Sequence, residues 1–285
     1  MQTCTTIDAT REVVRAARRA GKRVGLVPTM GALHEGHRSL VRIAKANSDF
    51  VVVSIFVNPL QFGPAEDLGK YPRTFDHDRH MLAREGVDLI FAPTAAEMYP
   101  RPTATYVNVE GMNDRLDGAS RPGHFRGVTT VVAKLFHIVE PDIAVFGQKD
   151  AAQVAIIKRM VLDANFPLEI VVGPIVRESD GLAMSSRNAY LNAEQRQQAL
   201  VLSHALREMQ QAFDQGERSA GQLIEAGLAV LRKVAAVRVD YVSVVDRDSL
   251  EPLSEVRSSA LVAVAAYVGA TRLIDNVILQ VPGRS

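Results

Sequence analysis

The chain has almost no thiol chemistry: its one cysteine, Cys4, excludes an internal disulfide and fits a reducing compartment. It also lacks a long hydrophobic run. The longest apolar stretch, residues 260–270, is too short to span a bilayer and reads as a buried strand, so no membrane is expected. The first twenty residues carry Arg11, Glu12, Arg15, Arg18 and Arg19 and no apolar core of signal-peptide length, and the expected location is therefore cytoplasmic. Neither charge sign dominates. Thirty-three basic residues stand against 32 acidic ones, a net charge of +1, without long like-charge blocks, which argues against nucleic acid or a membrane surface as the main partner. No internal repeat or low-complexity segment is present. What is there is 285 residues, 47% hydrophobic, enough for a sizeable core and for one large or two smaller domains. Small-molecule substrates fit this profile best.

The most informative stretch runs from residue 24 to residue 37. Residues 24–27 are short and apolar, Pro28 cannot donate to a sheet ladder, and Gly31 and Gly36 permit close backbone approach, so strand, loop and helix N-terminus are expected in that order. Such a turn attracts anions. His34 and His37, three apart, are placed on one helix face where they can donate to a phosphate. Gly31 and Gly36 have P-loop spacing, but His37 and Arg38 stand where Lys and Ser/Thr should be, which rejects a P-loop. A zinc helix would need histidines four apart and a third ligand. Two surface histidines on a capped helix are the plainer alternative.

Downstream, strands and helices alternate. Residues 7–20 read as a helix, 49–57 as a buried parallel strand, 75–85 as a helix and 87–91 as a strand. Residues 106–109 read as a further strand, 121–127 as a loop, 128–139 as a hydrophobic helix, 143–146 as a strand, 150–163 as a helix and 168–176 as the last strand material. This pattern predicts an α/β fold, a doubly wound, Rossmann-like parallel sheet, with ligands beyond the C-terminal strand ends. Residues 28–37, 58–61, 147–150 and the segment after Val176 all follow strand ends. Two helices, 193–213 and 219–236, and three strands then suggest a smaller C-terminal α+β domain, dividing the chain into 1–176 and 177–285.

Lys149, after Gly147 and Gln148, and the loop Met184-Ser185-Ser186-Arg187-Asn188 add cations and hydroxyls. With the two histidines they supply what adenylyl transfer needs: fixed positive groups around an α-phosphorus and a departing pyrophosphate. Residues 28–37 resemble the HIGH signature of nucleotidyltransferases related to class I aminoacyl-tRNA synthetases, and 184–188 resembles their KMSKS loop. With Phe56-Val57-Asn58-Pro59-Leu60-Gln61-Phe62, Tyr71-Pro72-Arg73-Thr74, Arg121-Pro122-Gly123-His124-Phe125-Arg126-Gly127 and Phe146-Gly147-Gln148-Lys149-Asp150, the chain is similar over nearly its whole length to the pantoate-beta-alanine ligase family.

That resemblance implies ATP-dependent condensation of pantoate with beta-alanine through a pantoyl adenylate, with Mg2+ accompanying ATP, in a homodimer. It places Met30, Gly31, Ala32, Leu33, His34, Glu35, Gly36, His37, Gly147, Gln148, Lys149, Asp150, Val176, Met184, Ser185, Ser186 and Arg187 at ATP. His37, His34, Lys149 and Arg187 are implied as catalytic. Gln61, Gln153 and Met30 are implied at pantoate, Gln61 also at beta-alanine, and Asp78 near the metal. Glutamine amides can orient a carboxylate without neutralising the nucleophile. A lid over 63–71 would exclude water. Gln148 stands where many relatives carry glutamate, and Arg187 replaces the second KMSKS lysine with a permanent charge. Rival readings are a cytidylyl- or adenylyltransferase of the same superfamily and a non-catalytic nucleotide or RNA binder.

Overall fold

A computed structural model describes residues 1–63 and 68–281. The chain divides into two compact units: Met1–Asn113, Arg121–Gln148 and Ile156–Pro174 form the first, while Asp114–Ser120, Lys149–Ala155 and the residues from Ile175 onward belong to the second. Two short inserts that precede the expected break near 176 thus group with the later part of the chain. Val176 does too.

The first unit contains β1 (Gln2–Cys4), α1 (Ile7–Arg19), β2 (Val24–Thr29), α2 (Glu35–Asn47), β3 (Phe50–Ile55), α3 (Phe75–Arg84), β4 (Leu89–Phe91) and α4 (Ala95–Met98). After α5 (Asp117–Ser120), which groups with the second unit, come α6 (His124–Val139), β5 (Ile143–Gly147), α7 (Ala151–Asp163), shared between the units, and β6 (Glu169–Gly173). The strands form one parallel sheet in the order β1-β4-β3-β2-β5-β6. Central strands are apolar on both faces, as a sheet covered by helices requires: Val51, Val52, Val53, Leu26 and Val27 are fully buried. After β4 the chain returns to the other side of β2, so the strand order reverses between β2 and β5. Open α/β sheets bind ligands at such a switch point.

Three expectations need correction. The strand β2 does not break at Pro28 but continues to Thr29, with Pro28 opposite Ser54. Thr29 turns its carbonyl to Phe56 on the β3 side, and Val24 turns its carbonyl to Asp142 on the β5 side. By alternation Pro28 faces β5, where pairing has already ended at Leu26, so its missing N–H costs no ladder bond. Residues 106–109 form no strand. Val107 gives its N–H to Thr130 Oγ1 (3.0 Å) and receives Thr129 Oγ1 on its carbonyl (2.7 Å), so hydroxyls of α6 satisfy this backbone in place of a strand partner. The helix α6 starts at His124, earlier than expected, because Gly123 takes a left-handed φ of 82° that begins it. The edge strand β1 had no signal, being three residues long.

The second unit has α8 (Ala193–Asp214), α9 (Ala220–Leu231), β7 (Val237–Val245), β8 (Ser259–Val268) and β9 (Thr271–Gln280), the strands forming an antiparallel sheet β7-β8-β9. Asn192 and Gln195 close a reciprocal capping box that starts α8. Its inner face buries Leu202, Leu206, Met209 and Phe213 with Val262, Val264 and Leu279 of the sheet. A helix pair on a three-stranded sheet is the small α+β arrangement expected.

Candidate active site

Each unit carries part of the predicted constellation. In the first, the turn after β2 is built backbone first. Thr29 Oγ1 donates to Ser54 O (2.7 Å) and accepts from Gly31 N–H (3.2 Å); Gly31 and Ala32 then take left-handed φ values of 84° and 51°. Added side-chain bulk at Gly31 would press on Asp78 at 3.0 Å and Ile55 at 3.1 Å, which explains glycine there. Asp78 is fully buried, and its carboxylate accepts from Ala32 N–H and Leu33 N–H, both at 2.9 Å, and from the Thr74 hydroxyl at 3.1 Å. The contacts of Asp78, expected near a metal, are those of a loop anchor.

His34 is the N-cap of α2 rather than a residue of its face, and His37 lies one turn in. The His34 N–H donates to His37 Nδ1 at 3.3 Å, and the two rings stand 4.1 Å apart. A ring nitrogen that accepts carries no proton, so a neutral His37 in this geometry bears its hydrogen on Nε2. Glu35 is turned aside: Arg42 and Arg38 hold its two oxygens at 2.5 and 2.8 Å and also bind Glu85. Hydrogen bonds from Arg42, opposed by burial and joined by Arg38, keep the Glu85 carboxyl below its usual range. Leu33 packs in the core, and Gly36 gives its carbonyl to Ser39. The β5 end brings Gly147 and Gln148 to the same edge of this sheet.

Gln61 ends a 3-10 turn, Pro59–Gln61, capped by Asn58 with proline at its start. Its Nε2 lies 3.0 Å from Met30 Sδ, its Oε1 accepts from Asn58 Nδ2 (3.1 Å), and its carbonyl meets His124 Nδ1 at 2.7 Å. Arg121 Nη1 lies 2.9 Å from His124 Nε2. The structure therefore joins Gln61 and Met30, both expected at pantoate. Gly127 of α6 backs this turn so closely that a Cβ there would overlap the Leu60 carbonyl.

In the second unit, Lys149 and Asp150 lie in the 3-10 turn Gln148–Asp150, and Gln153 lies in the first turn of α7. Lys149 Nζ is 3.7 Å from Asp150 Oδ1, and the Lys149 carbonyl accepts from Asn276 Nδ2 at 2.9 Å. Beside Asn276, Asp275 takes a bidentate pair of bonds from Arg177, 2.7 and 2.9 Å. Val176 accepts from Met184 N–H at 2.9 Å, closing a short hairpin through the Arg177–Ala183 bridge. Ser185 Oγ accepts from Arg187 N–H (3.3 Å) and caps the turn Ser186–Tyr190. Asn188 ties this loop to Glu178 (2.8 Å), which Arg196 holds at 2.7 Å along with Asp180. The Arg196 guanidinium outweighs burial and keeps the Glu178 carboxyl below its ordinary range.

Asn58, His124, Asp275 and Asn276 were not among the expected site residues. Asn58 had a local signal, the Asn-Pro start of a turn. Asp275 and Asn276 are both 3% exposed inside β9, and their interruption of the apolar run over 273–279 was the available sign. The predicted lid falls partly on residues 64–67, outside the described residues. Among the described residues, no three or more His, Cys, Asp or Glu side chains gather as a metal site, and no helix is long and apolar enough to cross a membrane.

The model of the family described as pantoate-beta-alanine ligase matches residues 2–278. The chain belongs to that family. A pantothenate synthetase from Koribacter versatilis (strain Ellin345) is 58% identical over 285 residues, covering 100% of this chain and 98% of the relative. One from Thermoanaerobacter sp. (strain X514) is 57% identical over 95% of this chain and 96% of its own length. Among solved structures, pantothenate synthetase from Thermus thermophilus superposes with a TM-score of 0.93 at 47% identity, covering 97% of this chain and 99% of that one. The Francisella tularensis pantoate-beta-alanine ligase, solved with beta-gamma ATP and beta-alanine, gives a TM-score of 0.81 at 32% identity, covering 97% of each chain. The family's fold is also the one described above.

Proposed function

We propose that the enzyme, an AMP-forming pantoate-beta-alanine ligase by family, works through a pantoyl adenylate, with the residues above in the following roles. The observation that carries this reading is the switch-point turn, where an anchored backbone and two adjacent imidazoles, tilted to each other by 40°, stand at a helix N-terminus. ATP phosphates bind there because the helix end and the His37 Nε2–H present positive character to them. One pantoate carboxylate oxygen attacks the α-phosphorus, the bond from that phosphorus to the bridging oxygen breaks, and pyrophosphate leaves with the electron pair. The neutral beta-alanine amine then attacks the acyl carbon, the carbon–oxygen bond to AMP breaks with its electron pair leaving on the AMP phosphate, and the nitrogen loses one proton to solvent and keeps the other as the amide N–H.

Neither step requires a protein nucleophile, so positioning and charge stabilisation supply the rate. Lys149, Ser185, Ser186 and Arg187 act as phosphate-directed cations and donors, and His34 and His37 stabilise the developing charge. Gly147, Gln148, Asp150 and Val176 hold the nucleoside. Gln61 and Gln153 orient pantoate against Met30, whose thioether offers a soft surface to its dimethyl carbon, and Gln61 also meets beta-alanine. Magnesium enters with ATP. Asp78 already spends its oxygens on the Ala32 and Leu33 N–H groups, so its role here is to shape the phosphate turn. The family resemblance also supports a cytoplasmic homodimer.

The test has two parts. Protein with magnesium-ATP, pantoate and beta-alanine should release AMP; with beta-alanine left out, pyrophosphate release should stop at about one equivalent per site and no AMP should be released. With pantoate alone, the enzyme should exchange labelled pyrophosphate into ATP. AMP release independent of beta-alanine would overturn the ligase reading, and absent exchange under turnover conditions would count against the adenylate.

A further inference from the structure

Tyr99 lies outside the residues given a role above, yet it ends a hydrogen-bond chain that leads to Gln61. Its hydroxyl donates to Asn58 Oδ1 at 2.8 Å. Asn58 is 1% exposed, and its amide orientation is fixed by backbone. Its Nδ2 lies 3.1 Å from the Gly127 carbonyl, which can only accept, and its Oδ1 lies 3.4 Å from the Leu60 N–H, which can only donate. The Tyr99 hydroxyl therefore has to be the donor in its bond to Oδ1. The remaining Asn58 N–H goes to Gln61 Oε1 at 3.1 Å, so the Gln61 carbonyl oxygen is turned inward and its NH2 group is the one presented beside Met30.

Tyr99 is itself well held. It follows the short helix α4, whose Thr94 cap accepts from Glu97 N–H at 3.1 Å, and its own N–H bonds to the Ala95 carbonyl at 2.8 Å. Glu97 in turn accepts from Ile7 N–H at 2.7 Å, and Met98 is fully buried. The ring lies 6.2 Å from Phe56 and beneath Lys134 Nζ at 5.1 Å. Burial raises the phenol well above its ordinary pKa, so the donor persists across the working pH range.

We propose that Tyr99 is a positioning residue for the acid substrate: its hydroxyl, the shorter of the two bonds to Asn58 Oδ1, holds Asn58 in the orientation its backbone partners set, so that Gln61 keeps its oxygen inward and presents its NH2 group, one N–H of it against Met30 Sδ, rather than an acceptor to a carboxylate or hydroxyl. An acceptor facing that carboxylate would repel it, so the relay selects for an anionic, hydroxyl-bearing substrate. The inference rests on Gln61 meeting pantoate.

A double-mutant cycle on the full-length enzyme tests it. Tyr99→Phe keeps the ring and removes only the hydroxyl. It should raise KM for pantoate about five- to tenfold, as for losing one buried hydrogen bond, with kcat within about threefold and KM for ATP unchanged. In a Gln61→Ala background the same substitution should change pantoate kcat/KM by less than about twofold. Equal effects in both backgrounds, or none in either, would overturn the relay. A normal pantoate KM in Gln61→Ala alone would instead remove Gln61 from pantoate, a separate failure. If Tyr99→Phe melts well below the parent enzyme, Asn58→Asp serves in its place. That variant keeps the acceptor for Tyr99 but cannot donate to Gln61, and a pantoate KM within about twofold of the parent would equally sink the proposal.

Discussion

The turn around His34 in the first unit and the loop around Ser185 in the second present similar chemistry but are held by opposite means. One carboxylate with no solvent exposure, that of Asp78, bonds directly to the backbone of the first. The second, beyond the backbone bonds of its short hairpin, is tied down by side chains, Asn188 to Glu178 to Arg196 to Asp180, whose charged groups remain about a quarter to a third exposed. A buried acceptor serving two N–H groups has no substitute when it is lost, whereas water can replace an exposed ion pair. The first turn is therefore the more firmly anchored of the two, as the anion cradle we propose there requires. The second is held through partly solvated side chains, which suits the phosphate-directed loop we propose.

Four changes sharpen this contrast, from the largest effect to the smallest. Lys149→Ala should slow adenylation by about two orders of magnitude or more in single-turnover measurements, the scale for losing a preorganised charge; an unchanged rate removes Lys149 from the chemistry. Asp78→Ala leaves the Ala32 and Leu33 N–H groups unsatisfied in a buried turn. It should cost about 3 kcal/mol in urea unfolding and weaken ATP binding as well. Gly127→Ala drives a methyl group against the Leu60 carbonyl, with Gln61 Cα only 2.7 Å away, so stability should fall by about 1–3 kcal/mol while pantoate KM rises and ATP KM does not.

The smallest effect belongs to the second loop. Arg196→Ala should cost about 1 kcal/mol or less, because its partners are partly solvated. This loss should also depend on pH in a set direction. The folded Glu178 carboxyl lies below its ordinary value of 4.5, so its pairing stabilises the fold above that value and fades as pH drops through the lower folded value. The difference between parent and variant, measured by thermal melts, should therefore shrink between about pH 6 and pH 3. A difference that grows as the solution is acidified would show that Glu178 is not the paired acid.

Local pattern made much of the architecture legible. The runs at 24–27 and 143–146 are apolar on every residue, which only a strand covered on both faces needs, and their alternation with amphipathic segments implied the parallel sheet. The helices expected over 7–20 and 193–213 were legible from their apolar spacing. Pro28 misled, because whether a proline breaks a strand depends on whether a neighbour lies on its N–H side, and that neighbour, β5, is over a hundred residues away. Residues 106–109 misled for a related reason: their extended backbone is satisfied by Thr129 and Thr130 hydroxyls, which the periodicity of residues 106–109 cannot reveal.

By itself the sequence determined the fold class, through the spacing and turn chemistry of its segments, and, through the resemblance of its motifs, the family and a candidate set of reactive side chains. Only the tertiary structure decided their presentation. It turned Asp78 into a backbone anchor, made His37 Nδ1 an acceptor and turned Glu35 toward arginines. It also fixed which end of the Gln61 amide faces outward. Each of these depends on the direction of a hydrogen bond or ion pair that the chain's local pattern does not encode, and direction is set by where folding brings the donor and the acceptor.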